Sequence, residues 1–154
     1  MPTASSALKY SSLDLEWHHK EARMFWKLHY AQTAQDIFGD LLLSIQLLAP
    51  LQTRMQGTPK RTLTTLLTSY YRLAATIQRD RGHFQDAYHY ANEGVRLARE
   101  LGNDPATDQL IAASLYTKGV VNFAWGAFGT EVRKGRITLE QPPTGCATRF
   151  PLAF

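Results

Sequence analysis

The sequence predicts an all-α fold made of antiparallel helical hairpins. Two observations predict it. Four glycines, Gly57, Gly82, Gly102 and Gly126, divide the chain at intervals of 25, 20 and 24 residues. Between them, apolar residues recur every three or four positions, the period of a helix with one buried face. Gly57 leads into Thr58-Pro59 and Gly102 into Asn103-Asp104-Pro105, both helix-start patterns. A long helix, a tight turn, a shorter helix and a proline-started restart, repeated, describe stacked hairpins.

Residues 1–12 read as a flexible lead-in. Ser11 and Asp14 have capping-box spacing, so the first helix is expected from about Leu13 to Gln32, with Trp17, Met24, Leu28 and Ala31 on one face and Phe25 beside them. Thr33 and Asp36 repeat that spacing and start a second helix, with Ile37, Leu41, Ile45, Leu48 and Ala49 as its stripe. Pro50 lacks an N–H donor and is expected to kink or end it, leaving 51–57 as a polar connector. Thr58 as N-cap and Pro59 start the third helix, whose inward face is Leu63, Leu66, Leu67, Tyr70, Ala74 and Ile77. Gly82 supplies its C-terminal cap.

The fourth helix, about Phe84 to Leu101, turns Phe84, Ala87, Ala91, Gly94, Val95 and Ala98 inward, and Gly102 closes it. Asp104-Pro105 begins the fifth, in which 11 of the 16 residues from Leu110 to Trp125 are apolar and spread around the helix. A helix apolar on most sides expects neighbours on both. Gly126 is expected to end it. Gly129, Gly135 and Pro142-Pro143 then break the pattern, so 127–141 reads as at most one weak helix and 127–154 as a weakly structured or disordered tail. The helical domain is therefore placed at 13–126.

The totals bound the function. The chain has 154 residues, 44% of them hydrophobic and only 19% charged, enough for one domain with a core. The net charge of +4 comes from scattered residues and demands no polyanionic partner. One cysteine, Cys146, gives neither a disulfide nor a thiolate cluster and suits a reducing, cytoplasmic setting. The longest apolar run, Leu41 to Leu51, is too short for a bilayer.

The segment RLAATIQRDRGHFQDAYHYANEGVRLARELGN (72–103) resembles a tetratricopeptide repeat. With Gly82 as the turn glycine, the repeat-defining positions fall on Tyr71, Ala75, Ala87 and Gly94. Aligning Gly126 in the same way places Leu115 and Gly119 at the first two positions of a second unit, which lacks its second helix. The resemblance covers roughly 68–126. It implies a short right-handed superhelix that binds protein or peptide in its concave face. It is similar to the sensory regions of bacterial transcription regulators, without their helix-turn-helix domain, and a partial repeat followed by an unpatterned tail reads as a fragment or as a gene product with a disrupted end.

The sharpest chemical feature is basic. From Arg54 to Arg81 there are six basic residues and one acid. At about 100° per residue, Arg61, Arg72 and Arg79 lie within about 20° of one another on the third helix. The resemblance puts Arg72 and Arg79 in the groove, with Thr76 where a carboxylate-clamp repeat carries Asn and Tyr116 at the matching place in the second unit. Stacked guanidiniums suit carboxylates or phosphates, so an acidic peptide or protein is the expected partner; an ordinary solvated face is the plain alternative.

Other candidates carry less. The histidines (His18, His19, His29, His83, His89) show no convergent metal spacing. No nucleophile elbow, Walker loop or dinucleotide fingerprint occurs, so neither a catalytic residue nor a cofactor is expected. Trp17, Phe25, Trp26, His29 and Tyr30 form a cluster that would suit base stacking but more simply fills a core, so direct nucleic-acid binding and membrane association are not expected. RKGR (133–136) reads as a solvated turn. Without a covering sixth helix, Val121, Phe123 and Trp125 would leave an apolar face for self-association through the fifth helix.

Overall fold

A computed structural model describes residues 12–32 and 36–133. Over those residues the chain is all-helical: α1 (Ser12–Tyr30), α2 (Phe38–Arg54), α3 (Gly57–Asp80), α4 (Phe84–Glu100) and α5 (Pro105–Arg133). No strand occurs among the described residues.

α3 is the hub, packing against each of the other four helices. It forms because eleven of its residues point inward, and Leu63, Leu66, Leu67, Tyr70, Leu73, Ala74 and Ala75 are sealed from solvent. A turn of three residues returns the chain from Asp80 to Phe84, and Gly82 takes φ +77° there, a conformation that favours glycine. The Gly82 N–H donates to the Arg79 carbonyl at 2.9 Å and His83 to Gln78 at 2.8 Å, closing the end of α3. α4 then packs along α3 through Ala87, Ala91, Gly94, Leu97 and Ala98. α5 lies against both. The main core joins α1, α2 and α3 with Leu97, and a smaller one joins Ala75, Ala87, Ala91 and Val121.

The inward faces of α2, α3 and α4 are those the periodicity predicts. That of α1 differs: Trp17 is 58% and Met24 49% exposed, and Leu15, His18, Glu21, Ala22 and Phe25 point inward instead. Two polar residues, His18 and Glu21, interrupt the apolar pattern, and Glu21 is hydrogen-bonded where it sits. Glu21 Oε1 accepts from Ser44 Oγ and, at 2.9 Å, from Tyr70 Oη. Tyr70 Oη also lies 3.1 Å from the His18 carbonyl, and His18 Nδ1, buried without a hydrogen bond, is 3.8 Å from Glu21 Oε1.

Four helix ends differ from expectation: α2 begins at Phe38 rather than at Thr33, and three more follow. Pro50 does not end α2, which runs on to Arg54; Gln46, whose carbonyl loses its donor, and Pro50 are both on the exposed side. Gln52 anchors the extra turn: its Nε2 donates to Thr64 Oγ1 at 3.1 Å and Glu100 Oε2 at 3.0 Å, tying α2 to α3 and α4. Thr58 does not cap α3, which begins at Gly57 with φ +67° and no side-chain cap. Gly126 does not end α5, which continues to Arg133, so 127–133 of the expected tail is helical. Glycine weakens a helix by about 1 kcal/mol without forbidding it, and Phe128 continues the inward side, its ring 5.1 Å from that of Phe84. At the start of α2, Asp36 Oδ1 accepts from the Phe38 N–H at 3.0 Å. Ser11, Thr33, Cys146, 134–136 of RKGR and 134–154 of the expected weak helix and tail lie outside the described residues.

Candidate functional site: the groove between α3 and α5

A groove of about 380 Å3 runs between α3 and α5, lined on one side by Arg61, Thr65 and Arg72 and on the other by Thr107, Leu110 and Ala113. The α3 lining follows from helical phase: residues 61, 65 and 72 fall within about 40° of one another. α5 supplies a wall because Asp104 caps it, with Oδ1 accepting from the Thr107 N–H at 2.9 Å. That bond above all, with help from Arg61, holds the Asp104 carboxyl below the usual range against an opposing desolvation.

The three arginines on this face differ. Arg61 is committed to structure: its guanidinium pairs with Asp104, donates to the Leu101 carbonyl at 2.8 Å and reaches Thr107 Oγ1 at 3.2 Å. Arg79 is also paired, to the adjacent Asp80 at 2.6 Å, and Asp80 in turn lies 3.4 Å from His29 Nε2. Desolvation raises the Asp80 carboxyl, but the His29 hydrogen bond and Arg79 outweigh it and hold it low. The stack of three equivalent guanidiniums expected from helical phase is therefore not what the structure presents.

Arg72 has no carboxylate partner among the described residues. Its Nε donates to Thr117 Oγ1 at 3.4 Å, its Cζ lies 5.7 Å from the centroid of Trp26, and burial lowers its pKa. An arginine remains charged under such a shift, so a cation sits in a partly dehydrated place where α1, α3 and α5 come together. Gly94 on α4 faces it: a Cβ there would stand 3.5 Å from Arg72 Cγ, in van der Waals contact.

Thr76, another expected groove residue, turns its hydroxyl back to the Arg72 carbonyl at 2.9 Å. Tyr116 is 57% exposed and does not line the groove with Arg61 and Arg72. Of the repeat-defining positions, Ala75, Ala87 and Gly94 are buried and Tyr71 is half-buried at the α3–α4 hairpin. Leu115 and Gly119 are exposed, and Gly126 lies inside α5 rather than in a turn. The second unit of the alignment therefore does not form a turn where the first does.

The sequence did not single out Thr107, Thr117, Asp104 as Arg61's partner, or the placing of Trp26 beside Arg72. Threonines at helix positions carry no signal of their own, and pairings more than 40 residues apart depend on how the helices dock. Among the described residues, no three His, Cys, Asp or Glu side chains gather as metal ligands, and no helix is long and apolar enough to cross a membrane. No protein family, curated protein or solved structure matches this chain.

Proposed function

We propose that this chain is a non-catalytic binding module, a helical-repeat scaffold of tetratricopeptide kind, that takes an acidic group of a peptide or protein into the α3–α5 groove. The observation that carries this reading is Arg72, a partly dehydrated guanidinium without a carboxylate partner among the described residues, on the groove lining. A hydrogen bond from a charged group is worth about 1.5–3 kcal/mol when desolvated, and Arg72 has donors to spare. The packing of α3 against a helix pair on each side, with Ala75, Ala87 and Gly94 at the α3–α4 contact, supports the scaffold. An effector-sensing part of a bacterial regulator, in the cytoplasm, is the setting that the resemblance suggests for it.

The test is calorimetric titration of a hexaglutamate peptide into the full chain. Arg72→Gln is expected to weaken binding by about tenfold or more, and Arg79→Gln, whose native side chain is already paired, by less than about threefold. Equal affinities for the wild type and Arg72→Gln, with unchanged circular dichroism, would refute the proposal. A second reading, self-association through α5, is favoured by Phe123 and Trp125, 64% and 40% exposed, with Leu115 and Tyr116 beside them; Val121, expected on that exposed face, is buried instead. Sedimentation equilibrium tests it, and a monomer at tens of micromolar would exclude it.

A further inference from the structure

The outward face of α5 is uncharged along most of its length. From Gln109 to Thr130 the one charged side chain is Lys118, whose Nζ lies 5.4 Å from the centroid of the Tyr88 ring on α4. At about 100° per residue, Leu115, Tyr116, Asn122, Phe123 and Gly126 fall within about 60° of Gly119, and all six are exposed. That face is turned away from Leu110 and Ala113, the groove wall. Charge returns at its two ends. Asp108 in the first turn and Arg133 in the last turn lie within about 40° of the same line, and both are exposed. Neither forms an ion pair among the described residues.

A face with an acid at one end, a base about 37 Å away at the other and no charge between is complementary to its own reverse. A second copy of α5 laid antiparallel meets acid with base at both ends, whereas a parallel copy sets acid on acid and base on base. Resting on the reading of α5 as a self-association surface, we infer that the chain forms a two-fold dimer in which α5 packs antiparallel on its counterpart, with Asp108 against the partner's Arg133. The register follows, because a two-fold axis makes every contact reciprocal. Its midpoint lies between Val120 and Val121. Leu115 comes opposite the partner's Gly126, a bulky side chain over a gap. Tyr116 falls between the partner's Phe123 and the partner's Ala127, on the same side of the seam. Tyr116 and Phe123 each expose more than half of their surface. At about 150–250 Å2 per aromatic side chain, these two bring about 500 Å2 to a pair, half of the roughly 1,000 Å2 that a specific interface needs. Leu115 and the helix surface between them supply the remainder. The end-to-end ion pairs are exposed, so they set direction and register more than strength.

The test is sedimentation equilibrium of the full chain, with circular dichroism on each sample. The wild type is expected to be a dimer at tens of micromolar. Gly119→Glu sets a charge in the middle of the face and replaces glycine with a better helix former, so a folded monomer is expected. Asp108→Lys and Arg133→Glu each turn attraction into repulsion at both ends of the pair, and each is expected to weaken dimerisation about three- to thirtyfold. The double variant restores opposite charges and is expected to return to within about threefold of the wild type. A monomeric wild type, or a dimer that survives Gly119→Glu, would overturn both this dimer and self-association through α5. A dimer lost in Gly119→Glu but indifferent to the charge reversals would overturn the antiparallel register and leave self-association through α5 standing. Assembly that grows beyond two copies would overturn the two-fold arrangement. None of these results bears on the acidic-group reading of the groove, whose wall lies on the other side of the helix.

Discussion

Replacing Tyr70 with phenylalanine tests how the interior of this chain tolerates a carboxylate. Tyr70 is fully buried. Its hydroxyl donates to Glu21 at 2.9 Å, and its ring is needed by the core, 6.3 Å from Phe25. Tyr70→Phe keeps the ring and removes only the donor, leaving Glu21 with Ser44. A hydrogen bond to a charged group in a buried site is worth about 1.5–3 kcal/mol, so the substitution should cost about 2 kcal/mol at pH 7 in urea denaturation. For a chain of this length that corresponds to a melting point lowered by roughly 4–8 °C.

The pH dependence supplies a second check. Burial, then the Glu21 charge, push the Tyr70 hydroxyl well above its ordinary value of 10.0. The folded state therefore keeps a proton that the unfolded chain releases above that pH, and stability must fall as pH rises through it. The variant lacks this group, so the gap between the two proteins is constant below pH 10 and narrows above it, by at most about 1.4 kcal/mol per pH unit. At that ceiling the gap closes no sooner than about 1.5 units above the unfolded value. Tyr71 and Tyr90 are also raised, but they are common to both proteins and cancel. A pH 7 cost under about 0.5 kcal/mol, or a gap that widens in alkali, would refute the account of Glu21 as dependent on this hydroxyl.

Further expectations concern the glycines and the start of α5. A Cβ at Gly119 or Gly126 would meet nothing within 4 Å, so Gly119→Ala and Gly126→Ala should each raise stability by about 0.5–1 kcal/mol in thermal melts. At Gly94 the nearest atoms, Arg72 Cγ at 3.5 Å and the Thr68 carbonyl at 3.8 Å, admit one methyl group. Gly94→Ala should fold normally, whereas Gly94→Leu should lose about 1–3 kcal/mol and displace Arg72. Asp104→Ala should lower the melting point and shift Thr107 and Ala106 amide resonances, because it removes both the cap and the Arg61 partner. Since the Asp104 carboxyl is held below its ordinary value of 3.8, the wild-type advantage should be complete above about pH 5 and be lost as the pH falls through the folded value.

The sequence made the fold legible wherever burial followed one helical period. α2, α3 and α4 are phased by Leu41, Leu63 and Ala91 and by neighbours of the same type, and Gly82 and Gly102 mark their turns through φ values of +77° and +97°. α1 was misphased because His18 and Glu21 put polar side chains on its inward face, and Glu21 is satisfied by Ser44 of α2 and Tyr70 of α3, which no local pattern reveals. α2 and α5 ran past Pro50 and Gly126 because tertiary contacts, through Gln52 and Phe128, outweighed local helix breaking. At the candidate site, Arg61, Arg72 and Arg79 were placed on one face by spacing alone. Which of them is already paired depended on Asp104, one helix away, and on the adjacent Asp80, whose pairing with Arg79 spacing does not reveal.

The seam beneath α5 has a dynamic consequence. Among its described residues Val121 is the one fully buried apolar side chain, while Thr107, Ser114 and Thr117 fill much of the rest. The hydroxyls of Ser114 and Thr117 donate back to their own helix at 2.8 and 3.0 Å, and Thr117 Oγ1 also accepts from Arg72 Nε of α3 at 3.4 Å. With so little fully buried apolar surface among its described residues, α5 is expected to lift away at lower free energy than α3, which four neighbours grip and whose amide protons should exchange last. One wall of the groove is therefore hinged to a fixed one. A ligand bridging the two slows the lifting by a factor of one plus its concentration over its Kd, so occupancy is written directly into the hydrogen-exchange lifetimes of α5.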